Sequence, residues 1–87
     1  MEVMPSAPVV VDTVVTMEDT SGGERIREYV IEGNVDGEWR TLARGTAVGH
    51  KKIDHFEPVR VSSVRIRITR SVREPLIRRL ALHRVGL

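Results

Sequence analysis

Apolar residues recur at every second position along much of the chain, which is the period of half-buried β-strands. The first such segment places five residues on one face: Val9, Val11, Thr13, Val15 and Met17. β-Branched residues dominate this segment, and they suit an extended, pleated backbone better than a helix. The alternation is clearest over residues 64–69, where Val64, Ile66 and Ile68 alternate with arginine and threonine. Both segments are therefore predicted to be strands with one buried face.

Two further strands are predicted at residues 26–33 and 38–43, joined by a hairpin turn. Asp36-Gly37 lies between them, and an Asp-Gly pair suits a type I′ turn, which needs positive φ at both central residues. Tyr29 and Val30 make both faces of the first of these strands partly apolar. The alternation places Trp39, Thr41 and Ala43 on one face of the second. Core packing, or cover for the turn, is the role predicted for Trp39.

A fourth strand is predicted over residues 50–56, ended by Pro58. Its apolar residues Ile53 and Phe56 are three positions apart, which indicates a bulge. Residues 76–85 fit two patterns: Ile77, Leu80, Ala81 and Arg84 suit a helix, whereas Leu76, Leu80 and Leu82 suit a strand.

The spacing of the turns predicts the fold class. If residues 76–85 are a strand, the chain has six short strands separated at intervals of about ten residues, which is typical of a sandwich or a barrel. The polar or glycine-bounded loops between them cover residues 19–24, 45–49 and 71–75. Residues 1–8, with Pro5 and Pro8, are predicted to form an extended arm, and residues 9–87 a single all-β domain.

Composition excludes several classes of protein. The chain has 87 residues and no cysteine, so it forms one domain without disulfides or thiolate metal sites. The net charge is only +2, acids are interspersed with bases, and there are three aromatic residues, so no nucleic-acid partner is predicted. No apolar stretch approaches the roughly 18 residues of a membrane span, so no membrane partner is predicted either.

Two features of the composition bear on origin and location. The chain has 12 arginines, two lysines, one asparagine and no glutamine, which suits either a thermophile or a GC-rich coding sequence. The N-terminus lacks the charge and the long apolar core of a signal peptide, so the chain is expected to be soluble, with its compartment left open.

Four segments resemble the C-terminal domain of bacterial α-L-fucosidases. They read GERIREYVIEG (23–33), EWRTLARGTAVGHKKIDHFEPV (38–59), VRIRITRS (64–71) and PLIRRLAL (75–82), and the resemblance runs from about Val10 to Leu82. It implies an antiparallel β-sandwich or jelly roll of the discoidin-like, galactose-binding-domain-like class, with the last segment as a strand. The complete family domain begins with further strands and an acidic, tryptophan-containing loop that have no counterpart here.

The resemblance also implies a non-catalytic module and a partner. The catalytic barrel of the fucosidases, with its carboxylate nucleophile and acid/base, has no counterpart in this sequence, so the chain is predicted not to be an enzyme. A sandwich truncated at its first strands exposes a sheet edge and part of its inner face, and such surfaces usually acquire a partner. We therefore expect a homo-oligomer that covers the missing strands.

A candidate ligand site follows from the order of the strands. In an up-and-down order the loops near residues 19–25, 45–50 and 71–75 share the end away from the termini, where discoidin-like domains generally bind ligands. The predicted ligand-binding residues are Asp19, Arg25, His50, Lys51, Arg73 and Glu74. They could supply hydrogen bonds to sugar hydroxyls, but no aromatic residue in these loops offers a stacking surface.

Three of these residues, and a basic row elsewhere, have plainer interpretations. A structural hydrogen bond within Gly49-His50-Lys51 explains His50 better than ligand contact, and Arg73 with Glu74 could form a solvated ion pair of little energetic weight. Arg65 and Arg67 form a basic row that is expected to pair with Glu28 and Glu32 on a neighbouring strand. Arg60, Arg78, Arg79 and Arg84 could extend that row, and binding of an anionic polysaccharide is the functional alternative.

Catalytic and metal-binding constellations do not emerge from the sequence. His50, His55 and His83 lack a metal-ligand spacing, and the sequence offers no Ser-His-Asp arrangement, glycine-rich phosphate loop or paired carboxylates. No metal and no cofactor are therefore predicted. The leading hypothesis is a lectin-like carbohydrate-binding module for fucose- or galactose-type sugars. The alternative is a structural or oligomerisation domain with no ligand.

Overall fold

Alternating apolar residues produce two antiparallel sheets that pack face to face in the computed structural model, which describes residues 1–86. The strands are β1 (Glu2–Val3), β2 (Val9–Glu18), β3 (Ile26–Val35), β4 (Glu38–Gly45), β5 (Lys52–Val61), β6 (Ser63–Ser71) and β7 (Ile77–His83). One sheet has the order β1-β6-β3-β4 and the other the order β5-β2-β7, and every neighbouring pair is antiparallel. The all-β sandwich class predicted from the sequence is confirmed.

The core lies between the two sheets. Tyr29 and Ile31 of β3 are 1% and 0% exposed, and Val14 of β2 and Val64 of β6 are 0% exposed. Each belongs to one continuous apolar cluster, which Leu80 of β7 completes from the three-stranded sheet. Burial of a Val, Leu or Ile side chain stabilises a fold by about 1.5–3 kcal/mol, so this cluster is the main reason that the sheets stay together.

The predicted hairpin and the last strand are confirmed. Asp36 and Gly37 have φ values of 53° and 86°, and Val35 pairs with Glu38 across the turn. Positive φ at both positions is what the Asp-Gly pair led us to expect. Residues 77–83 form β7, so the strand alternative for this segment is correct. Within the predicted arm, β1 pairs with β6 through Glu2 and Val3.

The predicted face of β2 is wrong beyond Val11. Val11 pairs with Val59 and Thr13 with His55, so three residues of β5 stand opposite the single residue Asp12. This bulge changes which residues face inward: Val14 and Thr16 are fully buried, whereas Val15 pairs with the 46% exposed Ile53 on the outer face. A bulge was predicted in β5 from the spacing of Ile53 and Phe56; the strand has one, but it lies at residues 56–58, after the regularly paired residues 53–55, and Pro58 does not end β5. Pro58 is accommodated within the bulge of an edge strand, where no ladder hydrogen bond is required of its nitrogen.

Trp39 does not pack into the core. Ile31 pairs with Ala43 and Glu32 with Thr41, so Leu42 is an extra residue that places Ala43 inward and Thr41 outward. Trp39 lies half-buried on the outer side of β4, and the guanidinium carbon of Arg65 is 3.9 Å from the centroid of its ring. Its partner is therefore a cation on the same outer face of the sheet rather than the apolar core.

Among residues 1–86 no helix is long and apolar enough to cross a membrane.

Candidate functional site

Three loops meet at one end of the sandwich, as the strand order predicted. The backbone N–H of Glu18 donates to the carbonyl of Gly49 (3.0 Å), and that of Asp19 donates to the carbonyl of Leu76 (2.8 Å). The N–H of Val72 donates to the carbonyl of Arg25 (2.9 Å). These bonds connect the loops at residues 19–25, 46–51 and 72–76 into one surface, called the loop end below.

The buried carboxylate of Glu18 holds this surface together. Glu18 is 2% exposed, and its Oε2 accepts hydrogen bonds from the backbone N–H groups of Arg25 (2.6 Å) and Ile26 (3.2 Å). Its Oε1 accepts one from the N–H of Gly49 (3.3 Å). Hydrogen bonds to an ionised acceptor are stronger than neutral ones, so this side chain fixes two loops relative to β2.

Glu18 is absent from the residues predicted as site residues. The sequence carried no signal for it, because simple alternation places Glu18 on the outer face, and only the irregular pairing opposite Asp12 turns Thr16 and Glu18 inward. A carboxylate at an inward position needs several donors, and loop backbone supplies them. Gly49 is required at the contact because its φ is 63° and a Cβ there would lie 2.5 Å from Oε1 of Glu24.

Two of the predicted site residues are held by local hydrogen bonds. Oδ1 of Asp19 accepts from the N–H of Ser21 (3.0 Å), and this bond, with smaller contributions from Ser21 Oγ and the charge of Arg25, lowers the pKa of the Asp19 carboxyl. Nη1 of Arg25 donates to the carbonyl of Glu74 (3.2 Å). Asp19, Arg25 and the main chain of Glu74 are thereby brought to the same surface.

The other predicted side chains are exposed. His50, Lys51, Arg73 and Glu74 all lie at the surface of the loop end. Within residues 1–86 their side chains make neither the structural hydrogen bond nor the ion pair that were their plainer interpretations. The loop end therefore combines a fixed base of Glu18, Asp19 and Arg25 with polar side chains that are available to solutes.

Three cavities of residues 1–86 lie outside the predicted site, and one of them borders the loop end at Thr46. A cavity of about 500 Å³ opens between β1 and β7, with Val3, Pro5, Val9, Leu80 and Leu82 in its lining. A second, of about 480 Å³, lies on the outer face of the four-stranded sheet, and a third, of about 210 Å³, lies beside the Asp36-Gly37 turn. The six predicted site residues line none of these three cavities.

The basic row on the outer face of the four-stranded sheet pairs with the predicted acids. Nε of Arg65 and Nε of Arg67 are 2.9 Å and 3.2 Å from Oε1 of Glu32, and Nε of Arg70 is 2.7 Å from Oε1 of Glu28. Hydrogen bonds from Arg67 and then Arg65 lower the pKa of the Glu32 carboxyl. Two carboxylates thus pair with three arginines, which weakens the polyanion hypothesis for the row as a whole and leaves one positive charge where Arg65 and Arg67 share Glu32.

The three-stranded sheet carries two of the histidines on its outer face. His55 and His83 both pair with Thr13, and Oγ1 of Thr13 is 3.1 Å from Nδ1 of His55. Within residues 1–86 there is no group of three histidine, aspartate, glutamate or cysteine side chains placed to hold a metal ion.

Comparison with known proteins gives matches among solved structures alone: no protein-family model and no curated protein matches the chain. A candidate α-L-fucosidase from Bacteroides thetaiotaomicron superposes with a TM-score of 0.95 and 34% sequence identity, covering 99% of this chain and 20% of the fucosidase. A family 29 fucosidase from Ruminococcus gnavus, in complex with fucose, superposes with a TM-score of 0.79 at 19% identity, covering 95% of this chain and 17% of that one.

One similar structure is a binding module on its own. A chitosan-binding module from a chitosanase/glucanase of Paenibacillus sp. IK-5 superposes with a TM-score of 0.79 at 16% identity, covering 94% of this chain and 65% of that one. A sequence identity of 16% shows only that the two chains share a fold. The 87-residue chain thus has the fold of, and is similar over nearly its whole length to, the C-terminal β-sandwich domain of α-L-fucosidases, and it spans about a fifth of the length of those enzymes.

Proposed function

We propose that the chain is a non-catalytic carbohydrate-binding module that takes fucose- or galactose-type sugars at the loop end. The observation that carries the proposal is the loop end itself, where backbone bonds and the Glu18 carboxylate hold three loops under exposed polar side chains. Its similarity to part of the fucosidases and to a chitosan-binding module supports a saccharide as the ligand class.

The chemistry of the loop end fits a sugar with vicinal hydroxyls. Arg73 and Lys51 supply donors, Glu74 and Asp19 supply acceptors, and His50 can do either, depending on its tautomer. Arg25 holds the 72–76 loop through the Glu74 carbonyl and so positions Arg73 and Glu74 beside the other two loops. Because these loops contain no aromatic residue, the binding is expected to be weak and dominated by hydrogen bonds.

A glycan array with fucose as the competitor tests the function. Binding that fucose blocks, and that falls when Arg73→Ala and His50→Ala are introduced, supports the loop-end site. Arg60→Ala is the matched control, because Arg60 is exposed and lines the cavity beside the Asp36-Gly37 turn. Sugar binding that is unchanged in both loop variants would contradict the site.

The second candidate function is structural: a domain with no ligand that packs against other chains. The observation favouring it is the open flank between β1 and β7, where a cavity of about 500 Å³ has a mainly apolar lining. We propose that a second copy of the chain covers this flank and forms a homo-oligomer. Light scattering after size-exclusion chromatography tests the oligomer, and a glycan array without binding beside a stable oligomer would favour this function over the first.

A further inference from the structure

Two arginines flank one valine on the outer face of the four-stranded sheet. Val30 of β3 pairs with Arg44 of β4 on one side and with Arg67 of β6 on the other. Directly paired residues in adjacent antiparallel strands project from the same face of the sheet. Val30 is 7% exposed, so it forms an apolar floor between the two strands that carry these arginines.

Arg44 and Arg67 supply the positive charge that remains on this face after the ion pairs have formed. Arg65 and Arg70 bind Glu32 and Glu28, whereas Arg44 is exposed and forms no ion pair within residues 1–86. Arg67 shares Glu32 with Arg65: its Nε and Nη2 are 3.2 Å and 3.5 Å from the carboxylate oxygens. The carboxylate of Glu32 therefore orients Arg67, but its single negative charge does not neutralise both Arg65 and Arg67.

The surface around them is concave and polar at its rim. The cavity of about 480 Å³ on this face has Arg44, Arg67, Thr46 and Thr69 in its lining, with Val30 at its base. That volume falls within the range of roughly 300–1,000 Å³ found for small-ligand pockets. Glu28 also lines the cavity, and its carboxylate is engaged by Arg70 at 2.7 Å.

We propose that this cavity, called the arginine cleft, binds the sulfate or carboxylate group of an acidic saccharide. Paired guanidinium groups recognise planar or tetrahedral oxyanions through charge-assisted hydrogen bonds. The hydroxyls of Thr46 and Thr69 provide hydrogen bonds for the sugar ring, and Val30 provides the apolar contact beneath it. The arginine cleft is a second site, and it does not depend on fucose-type binding at the loop end.

Titration with three disaccharides, followed by backbone amide NMR, tests the arginine cleft. The probes are a sulfated chondroitin disaccharide, its unsulfated form, which keeps only the carboxylate, and neutral lactose. Comparison of the first two identifies which oxyanion is bound. Shifts are expected at residues 30, 44–46, 67 and 69 with at least one acidic disaccharide and not with lactose, and higher salt should weaken the binding.

Arg44→Gln is the decisive variant, because Arg44 is exposed and unpaired within the described chain and its loss leaves the sheet intact. The variant should lower the affinity for the acidic disaccharide about ten-fold, as expected for a lost charge-assisted hydrogen bond. Arg40→Gln is the matched control on the same strand, since Arg40 pairs with Gly33, whose side-chain position faces the core residues Leu42 and Val61. The control should stay within about two-fold of the parent affinity.

Three results would overturn the proposal: equal affinities for the Arg44 and Arg40 variants, binding of lactose as tight as that of the acidic disaccharides, or tighter Arg44-dependent binding of a DNA duplex. The last result would identify a nucleic-acid surface instead. Arg73→Ala and His50→Ala should leave binding at the arginine cleft unchanged, so failure of the loop-end site and failure of the arginine cleft are separable.

Discussion

Gly45 is a residue at which the packing tolerates no side chain. A Cβ at this position would overlap the ring of Tyr29, which is 1% exposed and whose hydroxyl donates to Oδ2 of Asp54 at 2.8 Å. Tyr29 pairs with Gly45 across β3 and β4, so the aromatic ring occupies the space that a side chain would need. The absence of a side chain at this position therefore allows a large aromatic residue to close the core at the side of β4.

Replacing Gly45 with alanine should destabilise the fold by about 1–3 kcal/mol, because the ring of Tyr29 must move out of a well-packed position. The free energy of unfolding in urea measures the effect. Thr46→Ala is the control, since Thr46 is exposed and next in sequence, and it should change the stability by less than about 0.5 kcal/mol. Equal stabilities of the two variants would show that Tyr29 can shift without penalty.

Glu32 makes the stability of the fold depend on pH. Hydrogen bonds from Arg67 and Arg65 lower its pKa in the folded chain below the ordinary value of 4.5. The unfolded chain therefore binds the proton more readily, so the ionised carboxylate stabilises the fold above about pH 4.5 and this contribution is lost as the pH falls through the lowered pKa.

Glu32→Gln should remove that acid dependence. The variant should be less stable than the parent at pH 7, and the two free energies of unfolding should converge as the pH falls below 4.5 and through the lowered pKa of Glu32. Urea unfolding at a series of pH values measures the convergence. Glu38→Gln is the control, because Glu38 is exposed and makes no ion pair within residues 1–86, and its curve should stay parallel to that of the parent. A constant difference between the Glu32 variant and the parent would argue against the mechanism.

At the scale of the elements, Glu18 links the end of β2 to two loops. Its carboxylate accepts three backbone N–H groups, from Arg25, Ile26 and Gly49. Without it these donors would lie in a surface from which water is largely excluded, and an unsatisfied buried donor costs about 1–3 kcal/mol. The geometry of the loop end thus depends on a residue that does not itself reach its surface.

Glu18→Ala should loosen the loops at residues 19–25 and 46–51 and destabilise the protein by about 1–3 kcal/mol or more. The rate of amide hydrogen exchange should rise at Arg25, Ile26 and Gly49, while the central residues of β3 should stay protected. Glu24→Ala is the control, because Glu24 lies in the same loop but is exposed. Uniform loss of protection across the whole chain would indicate that Glu18 stabilises the fold globally rather than these loops.

The turns, strand faces and loop positions could be predicted wherever they depend on a short segment of sequence or on the order of the strands. Asp36-Gly37 predicts its turn because positive φ is a property of those two residues. The pairing of Arg65 and Arg67 with Glu32 could be predicted because the row and its acid lie on adjacent strands with the same alternation. The convergence of the loops at residues 19–25, 46–51 and 72–76 likewise followed from strand order.

What could not be predicted depends on contacts between distant segments. The inward face of β2 changes at Asp12 because three residues of β5, including Pro58, stand opposite it. Trp39 lies outward because Leu42 is an extra residue relative to β3. Arg44 lies on the outer face with or without this bulge, because it follows the inward-facing Ala43. The arginine cleft could not be predicted for another reason: the pairing of Val30 with both Arg44 and Arg67 depends on the registers of β4 and β6 against β3.

At the scale of the whole molecule, the flank between β1 and β7 is where the two sheets stay open to solvent. Asp12 closes part of it, since its carboxylate accepts the N–H groups of Val85 and Gly86, both at 2.8 Å, and holds residues 84–86 beside β2. These two bonds lower the pKa of the Asp12 carboxyl. Val9, which lines the rest of the flank, is 37% exposed, and three apolar residues in the segments next to β1 and β7 are also exposed: Met1 (57%), Met4 (72%) and Val85 (66%).

The free edge beside this flank suits a second copy of the chain. The edge of β7 has backbone groups free to pair, because β7 lies at the end of the sheet order. Apolar lining and a free edge thus coincide at one surface.

Val9→Lys should disrupt the homo-oligomer, because it places a charge in the apolar lining of the flank, where burial would leave it unpaired. Light scattering at a series of concentrations should show the parent chain as an oligomer and the variant as a monomer, with an unfolding temperature that no longer rises with concentration. Val72→Lys is the control, since Val72 is 57% exposed and lies at the loop end. A parent chain that stays monomeric at the highest concentration would contradict the proposed assembly, and a parent oligomer that survives Val9→Lys would place its interface elsewhere.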